Sequence, residues 1–208
     1  ALTVLVLFSL VFYILIKGIP NLKPSLFEWK YTSKNASMMP AIINTITMVL
    51  MTLLIAVPFG IGSAIYLTEY AKRGNKVVPV IRMTTETLSG IPSIVYGLFG
   101  YMAFVRWLDW GYSLMAGIIT LAIMILPLIM RTTEEALLAV PDSYREGSYG
   151  LGAGRLRTIF RVVLPSAMPG ILSGVILGVG RIVGETAALI YTAGSVTGVP
   201  NSLMSGGR

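Results

Sequence analysis

Residues 42–67 read IINTITMVLMTLLIAVPFGIGSAIYL. No charge interrupts them, and the charge-free stretch around them runs from Asn35 to Thr68. About 20 apolar residues are enough for a helix to cross the hydrocarbon core of a bilayer. Backbone groups in lipid need internal partners, and strand-like alternation is absent, so Ile42 to Leu67 predicts a membrane-spanning helix. Gly60, Gly62, Ser63 and Ala64 offer a surface for close helix packing.

Working outward, the same pattern recurs. Ala1 to Ile16 is an apolar run with an abrupt start. It lacks the basic region and small-residue cleavage site of a signal peptide, so it reads as a first span whose beginning is missing. Thr87 to Val105, extended back through Val77, predicts a third span, and Trp110 to Met130 a fourth. Val162 to Gly180 begins a fifth that continues to about Thr192. Pro58, Pro92, Pro127, Pro165 and Pro169 fall within or at the ends of spans, as membrane helices tolerate. The fold class expected is an all-α membrane protein, a polytopic helical bundle forming one domain over residues 1–208.

Composition agrees. The chain has 208 residues, 55% of them hydrophobic and only 12% charged. A typical soluble domain carries about twice that share of charge. These values exclude disorder, a coiled coil and a nucleic-acid arm, and argue against a soluble enzyme. The chain has no Cys and no His. That removes disulfides, thiolate chemistry, the commonest general base and the commonest metal ligand. No metal site and no cofactor are expected in this chain. The net charge of +7 suits either anionic lipids or anionic ligands.

Five spans put the termini on opposite sides. Lys72, Arg73 and Lys76 follow the second span, and Arg131, Arg145, Arg155, Arg157 and Arg161 follow the fourth. The opposite side holds Lys17, Lys23, Lys30, Lys34 and Arg106. The positive-inside rule therefore predicts cytoplasmic placement of the two basic loops and of the N-terminus. The tail from Gly198 to Arg208 is polar and Gly/Ser-rich, and a further span is expected to be missing after it. Trp29, Trp107 and Trp110 read as interfacial aromatic residues.

The loop from Arg131 to Pro165 is long for such a protein, and long ordered loops are usually functional. Thr132-Thr133-Glu134-Glu135 and Ser143-Tyr144-Arg145-Glu146 both have capping-box spacing. Pro141 separates the two predicted helices, and Gly152 and Gly154 stop the second. The spacing fits equally a rigid handle for a cytoplasmic partner or an amphipathic segment lying on the headgroups.

Glu146-Gly147-Ser148, Gly152 and Val162-x-Leu164-Pro165 resemble the EAA loop of ABC importer permeases, with every spacing kept. Gly147 and Ser148 stand where that family usually has Ala, and Val162 where it often has Ile. Residues 131–136 (RTTEEA), 90–100 (GIPSIVYGLFG) and 184–194 (GETAALIYTAG) look like the phosphate permeases of that family. The last segment is closer to the PstA type than to the PstC type. The likeness begins at about Pro40. The resemblance implies six spans in the family against five here. It implies docking of a separate PstB-like ATPase dimer, holding ATP and Mg, through Ser143, Tyr144, Arg145, Glu146, Gly147, Ser148, Leu151, Gly152 and Pro165. It also implies a PstC-like second permease and a PstS-like binding protein that delivers inorganic phosphate.

Ionisable residues at membrane depth are costly and by default functional. Arg181 lies about 18–24 Å along the fifth span at 1.5 Å per residue. Glu185 follows at i+4, within pairing reach on a continuous helix. The pair reads either as a structural ion pair or as a cation for an anionic substrate held by a competing carboxylate. Arg has the planar fork that suits phosphate oxygens. Arg131 reads as an interface anchor or helix-dipole partner, and Arg82 with Glu86 as a structural i, i+4 pair. The resemblance implies that Arg181, Glu185 and Arg131 line the substrate pathway.

No GxxxxGK[ST] motif is present, so a nucleotide engine is expected on another subunit. The leading expectation is thus a permease subunit of an ATP-driven phosphate importer in a bacterial cell membrane, and not itself an enzyme. A permease for sulfate, molybdate or phosphonate is the nearest alternative. A passive anion channel and a membrane-embedded enzyme are further ones.

Overall fold

The computed structural model describes residues 2–29, 37–71, 74–194, 199 and 202–204. Lys30, Lys34, Lys72, Arg73 and most of the 198–208 tail lie outside the described residues. Every regular element among the described residues is helical. Four helical stretches are long and apolar enough to cross a membrane, and five if one bent pair counts as a span. The structure is therefore an all-α, multi-pass membrane fold.

Two compact units are present, Ala1–Asn44 with Thr197–Val199 and Thr45–Val196 with Pro200–Arg208. The first holds α1 (Leu2–Gly18) and two 3₁₀ turns, Ile19–Asn21 and Pro24–Phe27. The Ser37 hydroxyl accepts the amide of Met39 at 3.3 Å, which serves a free donor at the start of α2 (Met39–Ile65).

The second unit is built around α5 (Leu114–Leu138). Ser113 caps it, its Oγ accepting from the amide of Ala116 at 3.2 Å. Leu121, Met124, Ile125 and Ile129 of α5 are fully buried among Ala56, Tyr96 and Ile182. Its far end, at Leu137, joins Ala64, Ile159, Val163, Ala167 and Ile171 in a second apolar cluster. α8 (Leu164–Gly184) lies along α5 through three glycines one turn apart. A Cβ on Gly170 would sit 2.6 Å from Ala136 Cβ, and one on Gly178 3.2 Å from Ile129 Cδ1. A Cβ on Gly174 would likewise overlap the Thr132 side chain. Without a hydrophobic drive between helices in lipid, such close backbone approach supplies the packing energy.

Three expectations need correction. The third span is not straight: α3 (Val77–Ser89) and α4 (Ser93–Gly100) meet at 98°. Gly90 and Pro92 break the helix between them, and a π segment, Tyr101–Trp107, extends α4. The fifth span does not run on to Thr192, because α8 stops at Gly184 and a separate α9 (Ala187–Thr192) follows. Residues 132–135 do not open a new helix. α5 continues through them, since its packing on α8 carries the helix past the membrane-length run.

Candidate functional site

The Arg131–Pro165 segment folds into a short platform. α6 (Asp142–Gly150) starts after Pro141, one residue before the expected capping box, and no side chain caps it. Pro141 fixes an extended approach, and Asp142 in the first turn complements the helix dipole. The C-terminal end closes as a Schellman motif. Gly152 has φ +82°, the Gly152 amide donates to the Tyr149 carbonyl at 2.9 Å, and the Ala153 amide to Ser148 at 3.1 Å. That geometry explains a glycine at the position the resemblance singles out. A short α7 (Arg155–Thr158) and a π segment, Ile159–Val163, then lead into α8, with Pro165 in its first turn.

No residue of α6 is buried. Ser143, Tyr144, Glu146 and Gly147 are exposed, and Leu151 just after the helix is 92% exposed. Ser148 turns inward, its hydroxyl 2.8 Å from that of the buried Thr158. Arg145 is the anchor. Its Nε and Nη2 donate to Glu69 Oε1 at 3.1 and 2.8 Å. Nη1 donates to the Val140 carbonyl at 2.8 Å and Nη2 to that of Leu137 at 2.9 Å. The guanidinium thus binds one carbonyl in the last turn of α5 and one just beyond it while it meets a carboxylate at the end of α2. The Glu69 side chain is buried and that of Arg145 mostly shielded, 6% and 15% exposed. Leaving one such partner unpaired costs about 3–5 kcal/mol in the general case. Glu69 carries no signal in sequence beyond being the first charge after a long apolar run, 76 residues from its partner.

Arg131 faces a groove of about 260 Å³ lined by Arg82, Glu86, Glu134 and Glu135. Its Nε donates to Glu135 Oε1 at 3.1 Å, and Nη1 lies 3.8 Å from Glu86. Arg82 pairs with Glu134, not with Glu86 as the i, i+4 spacing suggested. The pairings run across α3 and α5 because the two helices pack side by side, and they tie those helices together.

Arg181 and Glu185 sit at the α8–α9 break. Arg181 is half-buried in the last turn of α8, where its charge complements the helix dipole. Glu185 is the first residue beyond the helix, in extended conformation. Its Oε1 accepts from the Ala188 amide at 3.1 Å, which caps α9. The break removes the i, i+4 geometry of a continuous helix, and among the described residues no ion pair joins Arg181 to Glu185. The Tyr96 hydroxyl donates to the Leu88 carbonyl at 2.9 Å, which also accepts from the Ile91 amide at 3.1 Å where α3 ends. The two helix breaks lie close together where α4 packs on α9, Gly97 facing the backbone of Ala187 and Ala188. Arg131 stands apart, in the groove between α3 and α5.

The structure is thus a membrane helical bundle with one short, exposed helix between two of its spans. Residues 56–205 match the family of binding-protein-dependent transport system inner membrane components. The chain is 39% identical over 197 residues to the probable ABC transporter permease protein YqgI of Bacillus subtilis, covering 92% of this chain and 66% of that protein. It is 43% identical over 154 residues to the phosphate transport system permease protein PstA 2 of Mycobacterium bovis, covering 74% of this chain and 50% of that one. The phosphate transport system permease protein PstA of Pasteurella multocida is 39% identical over 88% of this chain and 66% of its own. A chain of the MetNI methionine ABC transporter in an inward-facing conformation shares the fold, with TM-score 0.58 and 23% identity over 70% of this chain and 67% of that chain.

The chain belongs to the family of binding-protein-dependent transport system inner membrane components, and within it is of the PstA type. It spans between half and two thirds of the length of these curated relatives.

Proposed function

We propose that residues 1–208 act as one permease domain of an ATP-driven phosphate importer. The observation that carries this reading is α6: a short helix, closed by a Schellman turn, exposed on its outer face and pinned by Arg145 between two spans. A helix held this way can pass on force without unwinding. The phosphate transport named in several relatives supports the substrate.

In this reading α6 and the N-terminus face the cytoplasm. Tyr144, Glu146, Gly147 and Leu151 enter a cleft of a PstB-like ATPase dimer, which holds ATP and Mg, so this chain itself needs no cofactor. Ser143, Gly152 and Pro165 shape the segment, while Arg145 and Ser148 hold it to the bundle. A PstC-like permease completes the pathway, and a PstS-like protein delivers phosphate from outside. Arg181 offers phosphate a forked, permanent cation at the α8–α9 break. Glu185 holds that break in shape by capping α9. Arg131 gives a second contact near the exit, where Glu86 and Glu135 compete with the anion for its guanidinium.

The test is uptake into proteoliposomes containing this permease with its co-expressed permease, ATPase and binding protein. Labelled phosphate, sulfate and molybdate are compared with and without ATP. ATP-dependent phosphate uptake lost in Arg181→Gln, with assembly intact, is expected. ATP-dependent uptake of another oxyanion overturns the substrate, and uptake without ATP restores the channel alternative.

A further inference from the structure

α6 is joined covalently to α5 through Ala139–Pro141 and to α8 through α7, but it has no chain connection to α2. Contact with α2 is made by side chains, at the π segment Tyr66–Tyr70 that ends it. Glu69, only 7% exposed, turns its carboxylate onto Arg145 of α6. From the other side of the Schellman turn, Arg155 donates to the Glu69 carbonyl, and its guanidinium lies 4.9 Å from the Tyr70 ring centroid. The end of α2 is therefore held by α6 through Arg145 and by α7 through Arg155. Its backbone there follows the i→i+5 pattern, Ala71 donating to the Tyr66 carbonyl at 2.9 Å. Single π turns inside helices recur at functional sites.

We propose that Glu69 is a positioning residue for energy coupling: with Arg145 it clamps α2 to α6, so that displacement of α6 moves α2 as well as α5 and α8. The proposal rests on the importer reading above. Arg145 is independently held by the carbonyls of Leu137 and Val140 and by Asp142. Removing the Glu69 carboxylate therefore leaves α6 seated on α5 and cuts the side-chain link between α6 and α2, while Arg155 of α7 keeps its contacts with the Glu69 carbonyl and Tyr70. A structural brace would act on assembly and stability. A clamp acts on the ratio of transport to hydrolysis.

The experiment measures phosphate taken up per ATP hydrolysed in the reconstituted four-component transporter. It compares wild type, Glu69→Ala and Glu69→Gln, the amide keeping an acceptor for Arg145 but losing the charge. The chain has no cysteine, so Thr68→Cys with Tyr149→Cys, two residues lining the cavity beside the clamp, can be bridged by a short bifunctional maleimide. In Glu69→Ala, uptake per ATP is expected to fall about tenfold, within the usual range of coupling between distant sites. Hydrolysis stays as in wild type in the assembled variants, Glu69→Gln falls less, and bridging the two cysteines in the Glu69→Ala background restores the ratio. An unchanged ratio, or a bridge that fails to restore it, overturns the clamp. Should Glu69→Ala not assemble, the same two criteria apply to Glu69→Gln. Absence of ATP-driven uptake in wild type overturns the importer reading itself and is seen before any variant is made.

Discussion

Gly97 lies where α4 meets α9, and its replacement by Ala tests whether that contact sets the geometry of both helix breaks. An added Cβ would stand 2.8 Å from Ala188 Cα and 3.3 Å from the carbonyl oxygens of Ala187 and Ala188. All three atoms are backbone, so no side chain can swing away. Carbon atoms in contact prefer about 3.5–4.0 Å, so the helices must part by roughly 1 Å. Overpacking of this kind costs about 1–3 kcal/mol. Ala gains about 0.5–1 kcal/mol over Gly inside a helix. The net expectation is a loss of about 0.5–2 kcal/mol. Two other glycines give the reference. At Gly178 the nearest atom is the mobile end of Ile129, at 3.2 Å, and at Gly180 nothing lies within 4 Å. Gly178→Ala should thus be close to neutral, and Gly180→Ala stabilising by about 0.5–1 kcal/mol. Unfolding of the purified protein in mixed micelles by SDS titration reads all three. The expected order of stability is Gly180→Ala, Gly178→Ala, Gly97→Ala. A Gly97→Ala protein as stable as Gly178→Ala would refute the argument that backbone contact holds α4 on α9.

At Glu185, replacement by Ala should cost about 0.5–2 kcal/mol through loss of the α9 cap, while Gln, which keeps an acceptor oxygen, should retain most of it in the same titration. If the carboxylate acted through an ion pair with Arg181, the two variants would lose alike. Gly152→Ala forces a side chain into a left-handed conformation at about 1–2 kcal/mol and should weaken retention of the ATPase in a pull-down. Gly147→Ala, with open space around it, should strengthen α6 by up to about 1 kcal/mol and leave retention intact or improved. Glu135→Gln removes one exposed partner of Arg131, and unfolding should change by less than about 1 kcal/mol.

The spans were legible because a bilayer imposes length and polarity, which sequence carries directly. Ile42 to Leu67 falls almost entirely within α2, and the start of α8 at Leu164 follows from Pro165. Gly152 was legible too, since a left-handed helix end is a demand on one residue. What sequence conceals is contact between distant segments. Thr132-Thr133-Glu134-Glu135 has the composition of a helix start, but local propensity gave way to packing. Thr132 and Ala136 lie against Gly174 and Gly170 of α8, and that seam carries α5 on to Leu138. Arg82 and Glu86 have the spacing of a partnered pair, yet each takes its partner from α5.

The helix breaks show the same limit from the opposite direction. The sequence reads Thr87 to Val105, extended back through Val77, as one span because the break at Gly90–Pro92 changes direction without changing polarity. Such a bend is stable at membrane depth only if the freed backbone groups find partners within the protein. Tyr96 supplies one at Leu88 and Glu185 another at Ala188, and Gly97 lets α4 and α9 close over both. The sequence names Glu185 as costly and functional because it is charged. It cannot show that the carboxylate is engaged by a backbone amide, which leaves the neighbouring Arg181 free of a carboxylate partner among the described residues. Among the described residues, the partner of the Glu185 carboxylate is thus the backbone of α9 and not the cation one turn earlier in the sequence.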